Sequence, residues 1–184
     1  MENLYLYHYY EANKGPFKNL SSLTLKEAQS IMDALKTEEN MFASRRSDDY
    51  LRIRLELEAK ARNDFMQKGG KPKTMFPHYM TLGRCEWLKT WYAEGKEINI
   101  HIHEFKPDTL SFTYGDLFPT MRFKDGKPYR EQVYTLHEIM NVIKQFGWPQ
   151  EWNEDGSQGP ERYIEVQVWD EKVINKHRSR REVR

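Results

Sequence analysis

The sequence predicts an α+β fold: a single domain with a mixed or antiparallel sheet of about five to seven strands, packed by three main helices. Three observations predict it. Residues alternate along short runs such as Leu4 to Tyr10 and Glu97 to His103, which is the period of a strand. Two capping boxes, Thr24 with Glu27 and Thr135 with Glu138, each open a stretch with apolar residues at helical spacing. The strands and helices follow one another irregularly, and the Asp125-Gly126 pair signals an antiparallel hairpin. A doubly wound parallel sheet would show regular alternation instead.

The elements follow in order. In the first strand Leu4, Leu6, His8 and Tyr10 share one face, and Tyr5, Tyr7 and Tyr9 the other. Gly15-Pro16 ends it. After the first capping box, Leu25, Ala28, Ile31, Met32 and Leu35 form a helical stripe. Ser47-Asp48-Asp49 opens a second helix with acids where the helix dipole favours them. Its stripe is Tyr50, Ile53, Leu57, Ala61 and Phe65, and Gly69-Gly70 ends it. Residues 38–46 are open to a backward extension of this helix.

Pro77 to Leu82 reads as a short strand, and Trp87 to Tyr92 as a short helix. In Glu97 to His103, Ile98, Ile100 and Ile102 oppose Asn99, His101 and His103. Leu110 to Tyr114 is a strand closed by Gly115. The hairpin is expected between Met121–Phe123 and Lys127–Tyr134. The second capping box starts a helix with Leu136, Ile139, Met140, Ile143 and Phe146, stopped by Gly147. Tyr163 to Trp169 is the last strand, with Ile164, Val166 and Val168 on its core face and Tyr163, Glu165, Gln167 and Trp169 facing outward.

Composition bounds the function. The chain has 184 residues, which suits one domain, expected over residues 1–170, with 171–184 a basic, flexible tail. Its 29 Lys+Arg nearly cancel its 28 Asp+Glu, for a formal net charge of +1. Residues 176–184 carry five basic residues and one acid, so the basicity is concentrated there. Hydrophobic residues are 38% and aromatics 14%, so the core is expected to rest on rings more than on aliphatics. One cysteine, Cys85, allows no internal disulfide, and a reducing cytoplasm is the expected compartment. No apolar run reaches the roughly 18 residues of a membrane helix, and the first residues do not read as a secretory signal.

Three constellations carry possible chemistry. On a strand, His101 and His103 point to one side and could grip one metal ion. With Gly95 six residues before His101, Asp108 five after His103 and Gly115 seven after Asp108, the segment resembles the first cupin motif, Asp standing where that family usually has Glu. The family's second motif has no counterpart, and the alternative is a solvated polar strand face.

The second constellation joins the end strands. A first strand with His8, then helices, then a middle strand with aromatics, then a last strand with Glu165 loosely resembles the ADP-ribosyltransferase fold in its His–Tyr–Glu subgroup. The resemblance implies that His8 fixes the nicotinamide ribose, Tyr114 stacks on nicotinamide, and Glu165 stabilises a developing oxocarbenium ion. Tyr9, beside His8, and Tyr163 and Gln167, beside Glu165, are the matching cofactor-binding candidates. Tyr10 and Glu11 stand where that family has Gly or Thr after its first-strand His-Tyr. The alternative makes His8 a satisfied structural histidine and Glu165 an exposed strand residue.

The third is nucleic-acid binding through the basic tail, with Trp152 or Tyr129 as exposed stacking rings. Arg45, Arg46, Arg52, Arg54 and Arg62 add charge near the second helix, but Asp48, Asp49, Glu56 and Glu58 offset it as in an ordinary solvated face. No Walker loop and no Gly-x-Ser-x-Gly elbow is present.

The stretches GPFKNLSSLT, KGGKPK with PHYMTLG, EWLKTWY, SFTYGDLFP, QVYTLHEI and GPERYIEVQVW together resemble a family of bacterial cytosolic proteins without an assigned activity. That resemblance runs to about Trp169. The expectation for function is an aromatic-lined pocket for a nucleotide-type ligand, with catalysis, cofactor and oligomeric state left open.

Overall fold

The computed structural model describes residues 3–36 and 47–182; the sequence expectation for residues 38–46 lies outside them. Five strands form one antiparallel sheet: β1 (Tyr5–Glu11), β2 (His78–Leu82), β3 (Gly95–His101), β4 (Leu110–Tyr114) and β5 (Ile164–Val168). Their order across the sheet is β3-β1-β2-β5-β4. The fold class is α+β, as the patterning predicts.

Among the described residues seven α-helical segments surround it: α1 (Leu25–Lys36), α2 (Tyr50–Gln67), α3 (Glu86–Lys89), α4 (Leu117–Arg122), α5 (Leu136–Phe146), α6 (Pro149–Trp152) and α7 (Glu171–Glu182). Both capping boxes form. Thr24 and Glu27 exchange bonds ahead of α1, and Thr135 and Glu138 do so ahead of α5. Loss of such a cap costs about 1 kcal/mol. Thr135→Ala is therefore expected to lower the melting midpoint by about 2–4 °C in a chain of this size, measured by calorimetry.

The sheet has two unlike faces. One carries Leu6, Met80, Leu82, Ile98, Ile100, Phe112, Ile164, Val166 and Val168, and buries them with Ile139 and Ile143 of α5 and Ile174 of α7. This is the main core. The other face carries Tyr79, Thr81, Ser111, Thr113, Glu165 and Gln167, and α2 and α4 cover part of it. Ala61, Phe65, Leu117, Met121 and Trp169 pack there.

Four expectations need correction. The hairpin around Asp125-Gly126 is absent: Leu117–Arg122 is a helix, because Asp116 caps it by accepting the Phe118 N–H at 2.8 Å. Asp125 instead holds Arg130 in a two-point ion pair at 2.8 and 2.7 Å. The outward face of β5 is not outward, since Glu165, Gln167 and Trp169 are buried beneath helices. The buried stripe of α2 is Leu51, Glu58, Ala61 and Phe65, with Arg54 beside them; Tyr50, Ile53 and Leu57 are only half-buried. The segment 171–182, expected as a tail, is the helix α7, whose Ile174 is fully buried in the main core.

Candidate functional site

The polar face of the sheet holds a cleft of about 260 Å³. Its walls come mainly from six places in the chain. β1 supplies Tyr7 and Tyr9, and β2 supplies Tyr79 and Thr81. The turn after α3 supplies Trp91 and Tyr92. Tyr50 and Arg54 enter from α2, and Asp116 and Phe118 from the start of α4. Tyr163 and Glu165 enter from β5.

Strand register explains why these residues meet. Tyr7 pairs with Thr81, Thr81 with Glu165, and Glu165 with Thr113, so one row of side chains crosses four strands on one face. Rings then close over the row. Tyr50 and Phe118 stack with centroids 5.0 Å apart and planes 4° from parallel. Trp87 and Trp91 meet edge to face at 5.0 Å.

A second compartment of about 510 Å³ adjoins the first and shares Tyr50, Trp91, Asp116, Phe118 and Tyr163 with it. It adds Trp87, Asp155 and Arg162. The Arg162 guanidinium lies 4.1 Å from the Trp87 ring centroid.

Glu165 is held firmly on one side. Its Oε1 accepts from the Leu117 N–H at 3.3 Å and from Gln167 Nε2 at 3.0 Å. Gln167 is itself fixed by Ser111, which donates to its Oε1 at 2.8 Å, and Trp169 Nε1 donates to Ser111 at 2.8 Å. Burial, with the Asp116 carboxylate nearby, raises the Glu165 pKa well above the usual carboxylate range. Asp116 accepts from the Phe118 N–H at 2.8 Å and from the Tyr163 hydroxyl at 3.0 Å.

Beneath the cleft, Arg54 and Glu58 form a buried ion pair at 2.9 Å. Glu58 Oε1 also accepts from Ser21 at 2.9 Å and from the Tyr79 hydroxyl at 2.8 Å. Arg54 sits 4.7 Å from the Tyr79 ring centroid.

The structure brings Tyr9, Tyr163 and Glu165 to one cleft, with Gln167 behind Glu165. Tyr114 is not in the lining of that cleft, and His8 stands only at its border. Both follow the alternation of Leu6 and Ile164, on the opposite face of the sheet. His8 borders the cleft, yet its ring is engaged elsewhere. Nδ1 donates to the Tyr79 carbonyl at 3.0 Å and Nε2 accepts from the Phe17 N–H at 2.8 Å. Tyr114 is fully buried, and its hydroxyl donates to the Gly147 carbonyl at 2.9 Å.

His101 and His103 are not two residues of one strand. β3 ends at His101, and His103 lies on the helical turn Ile102–Glu104. The His103 N–H donates to His101 Nδ1 at 3.3 Å. Among the described residues no group of three or more His, Cys, Asp or Glu gathers to hold a metal ion. Of the rings expected to be free for stacking on bases, Tyr129 is buried against Tyr114 at 4.7 Å, and Trp152 donates to the Tyr114 hydroxyl at 3.1 Å. Lys176 and His177 of the basic segment both engage Glu104. No helix among the described residues is long and apolar enough to cross a membrane.

Sequence reasoning missed Arg54, Glu58 and Asp116. Arg54 and Glu58 sit at i, i+4 like any surface pair, so spacing alone does not mark them. Asp116 did leave a signal, as an N-cap type ahead of Leu-Phe-Pro. Comparison with known proteins finds no matching family model, no matching curated protein and no matching solved structure.

Proposed function

We propose that the protein binds a small ligand with a flat ring, of the nucleobase class, in the ring-walled cleft above Glu165. The observation that carries this reading is the convergence of aromatic walls on a buried carboxyl at the floor. Aromatic walls favour a flat partner, and a few placed polar groups fix its orientation. The chamber of about 260 Å³ falls just below the roughly 300–1,000 Å³ of small-molecule sites. One ring system fits it, and a sugar would extend into the adjoining compartment. A whole dinucleotide would need both spaces.

Trp91 walls both compartments, so a stacked ring should quench tryptophan emission. The test is a fluorescence and thermal-melt panel of nucleobases, nucleosides and ADP-ribose. Binding at 100 times the dissociation constant adds about 2.7 kcal/mol, or about 5–10 °C in the midpoint. Saturable quenching that Phe118→Ala abolishes supports the reading. No quenching and no midpoint shift from any flat-ring compound at millimolar concentration overturns it.

A further inference from the structure

We propose that Glu165 reads the edge of the bound ring as a hydrogen-bond donor, with its carboxyl proton on Oε2, so that the ligand presents a bare acceptor such as a purine ring nitrogen. This rests on reading the cleft as a ring site and names the edge that the site selects.

The bonds of Glu165 fix where that proton sits. Oε1 accepts from the Leu117 N–H at 3.3 Å and from Gln167 Nε2 at 3.0 Å. An oxygen that receives two donors is the carbonyl oxygen of a neutral carboxyl, so the hydroxyl oxygen is Oε2. Both donors are themselves held. Leu117 begins α4, and Gln167 is anchored by Ser111 at 2.8 Å.

The surroundings favour the neutral acid. Glu165 lines the cleft with only 6% of its surface exposed, and burial penalises the charged form. Asp116, the neighbouring acid, receives the Phe118 N–H at 2.8 Å and the Tyr163 hydroxyl at 3.0 Å. Those donors favour a carboxylate at Asp116, and a carboxylate there disfavours a second one at Glu165. Arg54 opposes this, but its guanidinium is drawn to the buried Glu58 at 2.9 Å.

Other hydroxyls on this face are bonded within the protein. Tyr163 donates to Asp116, Tyr79 to Glu58 at 2.8 Å, and Thr81 to the Gly83 carbonyl at 2.7 Å. The Tyr9 hydroxyl accepts the Cys85 N–H at 2.7 Å. The acid proton of Glu165 is then the donor that the floor offers to a ligand. A ring stacked against the aromatic walls turns its edge to that floor, and a nitrogen lone pair in the edge accepts the proton's hydrogen bond. An edge with C–H at that point would cover a buried donor without an acceptor, which is unfavourable.

The experiment titrates adenosine, 1-deazaadenosine, 3-deazaadenosine and 7-deazaadenosine by tryptophan fluorescence on the full chain. Each analogue replaces one ring nitrogen by C–H and keeps the shape of the ring. The expected result is that one analogue binds at least about tenfold more weakly than adenosine, while the other two bind like it. Glu165→Gln puts an amide N–H where the acid hydroxyl stands, so it should keep both adenosine binding and the discrimination. Glu165→Leu should erase the discrimination. The nitrogen series on the unmodified chain decides the matter should either variant melt early. All three analogues binding within about twofold of adenosine overturns the inference and leaves the ring site standing. Glu165→Gln losing as much affinity as Glu165→Leu also overturns it, because the working group is then a carboxylate. Failure of all four compounds to bind overturns it too, and the ring site is then judged on the flat-ring panel alone.

Discussion

Arg54→Met is expected to destabilise the fold by about 3–5 kcal/mol, because it leaves a buried carboxylate without its cation. Glu58 has no exposed surface, and its Oε1 receives Arg54, Ser21 and the Tyr79 hydroxyl. Its Oε2 has no partner at all among the described residues. Without Arg54 a fully buried carboxylate is left with no cation beside it, which is costly. The midpoint should fall by about 6–20 °C. The double variant Arg54→Met with Glu58→Leu should recover most of the loss, since it removes both charges and fills the space. Calorimetry on the two variants checks this. A single variant melting with the wild type would show that the pair carries no stability.

Acid should unfold the protein through His8 before it reaches most carboxylates. The pKa of His8 falls from 6.5 to about 4, mainly because burial disfavours the charged ring, with smaller contributions from His78 and Arg178. Both ring nitrogens are already used, one donating to Tyr79 and one accepting from Phe17. A second proton on the ring would break the Phe17 bond. Phe17 has a left-handed backbone, φ 59°, which that bond helps to hold. Between pH 4 and 6.5 the unfolded chain binds the proton and the folded chain does not. Stability is therefore complete above 6.5 and declines as pH falls towards 4, by about 3 kcal/mol from this residue. Burial depresses His78 in the same direction, although its bond to Glu171 opposes the effect. His8→Gln should flatten the curve of stability against pH in that window, measured by urea unfolding from about pH 4 to about pH 7. An unchanged slope would count against a neutral, doubly bonded His8.

Local patterning was readable where one element decided its own shape. The caps at Thr24 and Thr135 form because a hydroxyl and a carboxylate three residues apart satisfy helix-end donors. β4 is copied directly from its run of residues 110–114, and β5 is a residue shorter at each end. The Asp125-Gly126 turn signal failed because the segment before it was claimed by a capped helix. Asp125 then found Arg130 rather than a partner strand.

The candidate site was half readable. Tyr9, Tyr163 and Glu165 were picked by residue type and strand position, and they do meet. His8 and Tyr114 were picked on the same grounds; Tyr114 lies outside the cleft, and His8 borders it with both ring nitrogens bonded elsewhere. Position along a strand sets the face to which a side chain belongs, and pairing register sets its neighbours across strands. Register depends on partners 70 or more residues distant, such as Tyr7 and Thr81.

What the sequence determined by itself is the α+β class, the strands' alternation and the capped ends of α1 and α5. These follow from short-range sterics and hydrogen bonds within a few residues. What only the tertiary structure decided is which face each helix covers. Alternation on β5 reports two sides, Ile164 with Val166 and Glu165 with Gln167, and both are buried. Nothing local says that α2 and α4 lie over the polar side. That depends on the fit of the whole surface: Phe65 and Leu117 need an apolar partner such as Trp169, and Arg54 and Glu58 need Tyr79 and Ser21. Packing and polar satisfaction are sums over contacts far apart in the chain, so the cleft they enclose exists only once the chain has folded.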